Sequence, residues 1–255
     1  MRLLILPTAF LREIGPLPIC DKAGIRCPAA VARVPFSTTR MARKLLRILL
    51  VLVLLALIGA GYAWWPRTGD LRGFDADAVG RLETGMWRDY YGHDYKSLAN
   101  RLYSLYRDQY HFSPADSAQL AYASGKAAQL FQPTGSRAEA QVALPLLVNY
   151  YALLRDRGGE SFDAEKAAKL ELDWWQLRRE NATPVQYGNV VAQVAVELFK
   201  TDNEHVQKSA QLRAAMMRYR DDRRDGRMQA EDWAHIEENL IEAYRELKAG
   251  VARTP

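Results

Sequence analysis

Two glutamates at matching places in the sequence are the strongest candidates for chemistry. Glu83 and Glu171 each stand four positions before a tryptophan, Trp87 or Trp175, and four positions after a small apolar residue. Residues four apart share one face of a helix, so each carboxylate is expected to border or enter an apolar face. Burial raises the pKa of a carboxyl group that lacks a cationic partner. Two such groups could bind a metal, exchange a proton or hold a small ligand.

A structural role for the same two glutamates is the alternative. Each carboxylate could pair with an arginine or a buried amide and thereby orient the packing of its helix. Two carboxylates without a histidine ligand make a poor transition-metal site, and the histidines are scattered over separate helix ends and exposed positions. We therefore predict no metal and no cofactor. Four histidines are predicted to lie in solvent: His93, His111, His205 and His235.

Motifs for other kinds of chemistry are missing or incomplete. The chain has no serine nucleophile elbow, no glycine-rich phosphate loop and no pair of cysteines two residues apart. Residues 221–232 imitate a calcium loop, but Arg223 occupies a position that requires an oxygen ligand. An ordinary turn between helices is expected there. This lack of catalytic groups favours a protein that is not an enzyme.

The net charge of +5 belongs to the N-terminal segment. Residues 1–47 hold 9 of the 35 Lys and Arg but 2 of the 30 acids, which leaves 26 basic against 28 acidic residues afterwards. Binding to phosphate backbones needs a basic face on the folded domain. The charge distribution therefore argues against a nucleic-acid partner.

An uncharged run indicates a membrane segment. Ile48 to Trp65 carries no charge, and at 1.5 Å per residue its 18 positions extend about 27 Å as a helix. Arg43, Lys44 and Arg47 precede it, which places the N-terminus in the cytoplasm and the rest of the chain outside. We predict an inner-membrane signal anchor over 41–65 and a linker over 66–73. The alternative is a signal peptide cleaved after Ala63, with a periplasmic or secreted product.

Residues 1–40 show no helical or strand periodicity. They contain five of the eleven prolines and both cysteines, Cys20 and Cys27. We predict a disordered extension or a start codon assigned too early, since Met41 would begin a normal signal anchor. No disulfide is available to the rest of the chain, so its stability must come from an apolar core.

Residues 74–250 are predicted to be all-α. Helix start signals recur at regular intervals, among them Asp75, Ser113-Pro114, Ser136, Asp163 and Thr183-Pro184. Ser136 and Glu139 form a capping-box pattern, and Pro145 should kink the helix that follows. Eight helices are expected beyond the membrane, over residues 75–91, 95–110, 114–132, 136–157, 163–179, 183–200, 203–223 and 229–249.

The helical region also repeats itself. The segment that begins Phe74-Asp75 matches the segment that begins Phe162-Asp163 at an offset of 88, and it includes Glu83 and its counterpart. Three further short matches follow in the same order at offsets of 92 or 93. Collinear matches with a small drift are typical of tandem duplication with loop insertions. We predict two four-helix repeats, 74–159 and 162–250.

The repeated strings also carry a resemblance. Leu82-Glu83 before Trp87 and an Arg-Asp-Tyr-Tyr string, and Leu170-Glu171 before Trp175 and an Arg-Arg string, resemble a set of uncharacterised bacterial membrane-anchored all-helical proteins. The resemblance covers most of residues 74–250. It implies an all-helical fold behind an N-terminal apolar segment and no activity or site.

Two classes of function are consistent with these observations. The first is a non-catalytic module of the cell envelope that binds another protein or organises a membrane complex. The second is a small-ligand-binding or enzymatic domain that uses a cleft between the repeats. That cleft would be lined by Glu83, Glu171, Trp87 and Trp175, because a pseudo-twofold interface brings equivalent side chains together. A membrane-proximal spacer without a pocket is a third possibility.

Overall fold

The computed structural model describes residues 38–65, 67–223 and 228–252. All regular secondary structure in these ranges is helical, which confirms the all-α prediction. Residues 1–37, with Cys20 and Cys27, lie outside the described residues, and so does the middle of the 221–232 turn.

The apolar segment forms helix α1, Thr38–Trp64. Of the described helices, one is long and apolar enough to cross a membrane, over Met41–Trp64, with a mean hydropathy of 2.5. This agrees with a membrane segment over 41–65. The helix begins before the uncharged run and includes the basic residues on the N-terminal side of that run.

Nine further helices lie in the described residues beyond α1. Six of them correspond closely in extent to predicted helices. The α-helix predicted over 95–110 is shorter in the structure. Helix α3 ends at Ser104, and the chain continues as a π-helical turn over Leu105–Gln109. The bounds are α2 (Ala76–Tyr91), α3 (Tyr95–Ser104), α4 (Pro114–Phe131), α5 (Arg137–Ala140), α6 (Leu144–Gly158), α7 (Ala164–Arg179), α8 (Pro184–Phe199), α9 (Glu204–Asp221) and α10 (Ala230–Gly250).

The predicted helix over 136–157 is wrong in one respect: it is interrupted rather than kinked. It consists of the short α5, a 3₁₀ turn over Gln141–Ala143, and α6. Pro145 lies in the first turn of α6, where its missing N–H costs nothing. A continuous helix would place the proline ring against the carbonyl of Gln141, so the chain restarts instead.

Side-chain caps begin the helices where the sequence indicates them. Asp75 accepts the amide of Ala78, and Asp163 accepts the amides of Glu165 and Lys166. Thr183 and Gln186 form a reciprocal capping box at α8. These bonds satisfy backbone donors that the first turn of a helix leaves without partners.

The capping box predicted at Ser136 forms only the first of its two expected hydrogen bonds. Ser136 accepts the amide of Glu139, as expected. The carboxylate of Glu139, however, accepts the amide of Gly135, at 2.7 Å, rather than that of Ser136.

Eight of these helices form a closed ring. Each packs against its neighbour in the chain, α4 packs against α6 across the short α5, and α10 returns to pack against α2. Short connections make consecutive helices antiparallel. The C-terminal ends of α2, α4, α7 and α9 therefore lie at one end of the ring, and those of α3, α6, α8 and α10 lie at the other.

The linker closes the second end of the ring. Arg72 donates to the carboxylate of Glu160 at 2.7 and 2.9 Å, to the carbonyl of Phe199 at 2.8 Å and to that of Val251 at 2.9 Å. The amide of Gly69 donates to the carbonyl of Arg157 at 2.7 Å. Apolar side chains fill the interior beside it: Leu71, Phe74, Phe112, Phe162, Phe199, Val206 and Val251.

The proposed repeats begin alike. Asp75 and Asp163 both cap a 16-residue helix, and the phenylalanine before each is buried, Phe74 at 2% exposure and Phe162 at 6%. This local similarity concerns the opening of each repeat. The duplication of the whole unit stays a prediction from the sequence.

Candidate functional site

A cavity of about 250 Å³ occupies the ring interior toward the end opposite the linker. Its lining comes from α2, α3, α4, α7 and α9, and it includes Glu83, Trp87, Glu171 and Trp175. The structure thus brings all four sequence-predicted site residues together, and they come from both predicted repeats.

Helical spacing explains why these side chains share the cavity. On α2 the lining residues Glu83, Trp87 and Tyr90 follow one another at intervals of four and three, and on α7 Glu171 and Trp175 are four apart. Such intervals place side chains along one face of a helix. A single polar residue in each otherwise apolar row therefore enters the ring interior.

Glu83 is neutralised within the cavity wall. Arg213 donates to its two carboxylate oxygens, from Nη2 at 2.6 Å and from Nε at 3.2 Å. Burial would lower the pKa of Arg213, but the charge of the Glu83 carboxylate and its hydrogen bonds with Arg213 raise that pKa overall. The prediction that a carboxylate at this position pairs with an arginine is confirmed for Glu83.

Glu171 has neutral hydrogen-bond donors instead of a cation. Its carboxylate accepts the Tyr151 hydroxyl and the Trp175 indole N–H, each at 3.0 Å. In the described part of the chain it makes no ion pair. Burial raises the pKa of Glu171, and these hydrogen bonds together with the nearby Arg213 charge offset that effect only in part. Keeping the Glu171 carboxylate ionised in this cavity therefore costs free energy.

A cluster of tyrosines separates the cavity from the closed end of the ring. Tyr151 contacts Phe162 on one side and donates to Glu171 on the other. Tyr106 contacts Phe112 and donates to the cavity-lining Ser124 at 3.3 Å. Burial raises the pKa of every member of this cluster, so all stay protonated as donors: Tyr106, Tyr110, Tyr150, Tyr151 and Tyr244.

A second depression, of about 350 Å³, adjoins the cavity and shares Tyr90, Tyr91, Phe131, Trp175 and Arg178 with it; we call this depression the mouth. Arg178 donates from Nε and Nη2 to the two carboxylate oxygens of Asp221, at 2.7 Å each. The same guanidinium donates to the Tyr91 hydroxyl. This network ties the C-terminal ends of α2, α7 and α9 together around the opening.

Arg179 is the mouth cation without a carboxylate partner among the described residues. Its donors reach the Thr134 hydroxyl at 2.6 Å and the Phe131 carbonyl at 2.7 Å, and its guanidinium lies 3.7 Å from the centroid of the Phe131 ring. Arg218, also at the mouth, pairs with Asp222 at 2.9 Å. Arg179 therefore brings to the mouth a positive charge that makes no ion pair in the described part of the chain, although the Glu139 carboxylate is close enough to act on it.

Metal ligands do not converge in the described residues: no three His, Cys, Asp or Glu side chains stand close enough to hold an ion. All four histidines are exposed, as predicted. Asp221 and Asp232, at the two ends of the calcium-like segment, are hydrogen-bonded to Arg178 and to Tyr219 respectively.

Sequence reasoning missed several residues of this site. Arg213 is the most important, because it decides the difference between the two glutamates. A signal was present: Arg213 lies between Ala210 and Met217 in an apolar row at helical spacing. A cation in such a row needs an anion from another helix, and Glu83 is that anion. Trp174, Tyr90, Tyr91 and Phe131 also line the cavity and were not among the predicted site residues.

The chain matches no family model, no curated protein and no solved structure. Its function is therefore inferred from the chemistry of the cavity.

Proposed function

We propose that this protein is a membrane-tethered binding module that holds a small organic molecule inside its ring of helices. The observation that carries the proposal is the convergence of Glu171, Trp174 and Trp175 in an open, mainly apolar cavity beside the Glu83–Arg213 pair. Ligand sites in proteins are commonly concave and apolar, with a few polar groups that fix the orientation of the ligand.

The cost of the Glu171 charge supports a binding role. A carboxylate in a purely structural role would gain from an ion pair, and Glu83 has one in Arg213. Glu171 instead presents its charge to an open cavity, with both of its protein donors neutral. A perturbed ionisable group inside a cleft is a recognised indicator of a functional site.

The outer surface gives less support to a protein partner. In the described residues beyond Trp65, four large apolar side chains are exposed: Tyr95 and Tyr122, which line one groove between α3 and α4, and Val142 and Val185, which lie on other elements. A docking surface for another protein would need a contiguous apolar patch larger than this groove. The protein-binding and scaffolding hypothesis therefore stays a prediction from the sequence.

The tether places the module in the cell envelope in this proposal. Arg43, Lys44 and Arg47 precede the apolar part of α1, which favours a cytoplasmic N-terminus in the inner membrane and a helical domain outside it. Cleavage after Ala63 would instead release the domain. Attaching a reporter that is active only in the periplasm after residue 252, and measuring the mass of the mature chain, separates these possibilities.

A blocked cavity tests the binding function. Ala128 lines the cavity on α4, and Ala118 lies exposed on the same helix. Ala128→Phe fills much of the space, whereas Ala118→Phe adds the same ring to the outside and serves as the matched control. Both variants are made in the full chain, in a polyoxyethylene detergent that has neither charge nor sugar.

Thermal unfolding is measured with a panel of small zwitterions, cations, anions and neutral sugars. A ligand at a hundred times its Kd stabilises the folded state by about 2.7 kcal/mol. At least one class should raise the melting temperature of the wild type and of Ala118→Phe but not that of Ala128→Phe. The proposal fails if no class does so, or if the blocked variant responds equally.

A further inference from the structure

The charges of the cavity are unevenly distributed along its length. In the deep part, Glu83 and Arg213 cancel, and the Glu171 charge remains. At the mouth, Asp221 is shared by Arg178 and Arg220, Arg218 pairs with Asp222, and Arg179 makes no ion pair among the described residues. The cavity therefore has a carboxylate without an ion pair deep inside and an excess of positive charge at its opening.

The spacing of these two charges is set by helix geometry. Glu171 and Arg179 are both on α7, eight residues apart, and Arg178 is seven residues from Glu171. At a rise of 1.5 Å per residue, the Cα atom of Glu171 lies about 10 to 12 Å along the helix axis from those of Arg178 and Arg179. Taking this Cα spacing as the scale of the charge separation, and allowing a hydrogen-bonded contact of about 3 Å at each end, we expect the ligand's own charges to be roughly 4 to 6 Å apart.

The walls beside Glu171 suit a cation. The indole N–H of Trp175 is bonded to the carboxylate, so the Trp175 ring lies next to any group that reaches Glu171. Trp174 stands nearly perpendicular to it, with ring centroids 6.0 Å apart, and Phe131 lies 5.0 Å from it. Aromatic faces attract ammonium groups through their quadrupoles, most strongly when water is excluded.

Resting on the proposed binding function, we infer that the ligand is a small zwitterion. Its ammonium end lies beside Glu171 and Trp175, and its carboxylate or phosphate end lies beside Arg179. The ligand bridges two charges that have no ionic partner among the described residues, and its length is limited by their separation on α7.

A series of ω-amino acids measures that length directly. Glycine, 4-aminobutyrate, 5-aminopentanoate, 6-aminohexanoate and 8-aminooctanoate are titrated calorimetrically into the full chain at pH 7.5. Affinity should peak at 4-aminobutyrate, whose extended charge separation is about 5 Å from bond lengths near 1.5 Å. Butylamine and butyrate, each with one of the two charges, should bind at least tenfold more weakly.

Substitutions at the two ends separate their roles. Glu171→Gln should weaken 4-aminobutyrate at least tenfold and leave butyrate unchanged, whereas Arg179→Gln should weaken it similarly and leave butylamine unchanged. Glu165→Gln on the outside of α7 and Arg81→Gln on the outside of α2 are the matched controls, since both positions are exposed. Both control variants should bind 4-aminobutyrate with wild-type affinity.

Shortening the deep carboxylate provides a readout that loss of folding cannot imitate. Glu171→Asp draws the charge back by about one methylene, so the best ligand should become 5-aminopentanoate. The inference is overturned if the optimum does not move, or if butylamine or butyrate binds wild type as tightly as 4-aminobutyrate does.

The two proposals fail separately. If only sugars or anions stabilise the wild type, and Ala128→Phe abolishes their effect, the cavity binds ligands but the zwitterion inference is wrong. If no compound in the panel stabilises the protein, the binding function itself falls.

A free solute and a lipid headgroup share this chemistry, and a last arm distinguishes them. The full chain is reconstituted in vesicles of phosphatidylglycerol alone or of phosphatidylglycerol with phosphatidylethanolamine, and 4-aminobutyrate is titrated into each. Competition by the zwitterionic phosphatidylethanolamine, seen as an apparent affinity at least threefold weaker, identifies a headgroup as the ligand. Equal affinities in both vesicles identify a free solute.

Discussion

The guanidinium of Arg213 on α9 donates to both carboxylate oxygens of Glu83 on α2, at 2.6 and 3.2 Å, although the two residues are 130 positions apart in the chain. Since α2 and α9 both pack against α10, the pair connects two helices on either side of the helix that closes the ring. It also neutralises one of the two deep carboxylates. The pair thus contributes to ring closure and leaves Glu171 as the charged group of the cavity.

Replacing one member of this pair should cost more stability than replacing both. Glu83→Gln and Arg213→Met each leave a charge in a largely desolvated position, and each should lower the free energy of unfolding by about 3 to 5 kcal/mol. The double variant removes both charges together and should cost less than either single variant. Urea unfolding of all four proteins measures the coupling. Additive losses would show that the two side chains do not stabilise each other.

Neutralising Glu171 should raise the free energy of unfolding, whereas neutralising Glu83 should lower it. The pKa of Glu171 is raised in the folded state, chiefly by burial, so the folded protein holds this proton more tightly than the unfolded chain does. Its charge therefore lowers the stability of the fold at pH values above the pKa that Glu171 has in the folded protein. This loss disappears as the pH falls to the pKa that Glu171 has in the unfolded chain. Glu171→Gln should be more stable than wild type at pH 8 by about 1 kcal/mol, or 2 to 4 °C in Tm.

The pH dependence of that difference is the diagnostic result. At pH 4 the wild-type carboxyl is protonated in the fold, so the melting temperatures of Glu171→Gln and wild type should converge. Glu165→Gln, on the exposed side of the same helix, should not gain stability at either pH. A Glu171→Gln variant that is less stable at pH 8 would mean that the carboxylate is a packing element.

Two glycines of α2 should respond differently to the same substitution. A Cβ on Gly80 would meet the backbone of Ile241, on α10, at 2.7 Å. A Cβ on Gly85 would meet the guanidinium of Arg101, a half-exposed group that can move. Gly80→Ala should lower the free energy of unfolding by about 1 to 3 kcal/mol, despite the better helix propensity of alanine.

Gly85→Ala is the matched control for this helix contact. The propensity gain of up to about 1 kcal/mol should offset the displacement of Arg101 and leave Tm close to that of wild type. Circular dichroism melts of both variants provide the comparison. Equal effects at the two positions would contradict close packing of α2 on α10.

Local signals in the sequence predict most of the helices correctly. Asp75, Ser113, Asp163 and Thr183 accept backbone amides at the starts of α2, α4, α7 and α8, as the capping patterns indicate. Such bonds depend on residues within one turn, so they can be inferred without knowing the fold. Ring closure could not be inferred, because contact between α2 and α10 joins the two ends of the helical region.

The candidate site was predictable in its residues but not in its charge balance. Helical spacing places Glu83 and Glu171 on equivalent inward faces, and the structure brings both into one cavity. The sequence could not predict that Arg213 pairs with Glu83 and leaves Glu171 with neutral donors, since partners on other helices depend on the tertiary arrangement. The break before α6 shows a similar limit, because a proline can kink a helix or restart one.

Arg72 should be the most sensitive residue of the linker. It donates to the carbonyls of Phe199 and Val251, which lie at the C-terminal ends of α8 and α10, and to the carboxylate of Glu160. Arg72→Met withdraws these donors from a site where its side chain is 15% exposed, and should lower the free energy of unfolding by about 2 to 4 kcal/mol.

Lysine at this position distinguishes the geometry of the guanidinium from its charge. Arg72→Lys keeps the cation but cannot reach three acceptors on separate elements at once, so it should recover less than half of the loss. Arg81→Met, at an exposed position of α2, should stay within about 0.5 kcal/mol of wild type. Guanidinium chloride unfolding with an unchanged m-value would assign the loss to the folded state. If Arg72→Met unfolds like wild type, the linker lies against the ring without closing it.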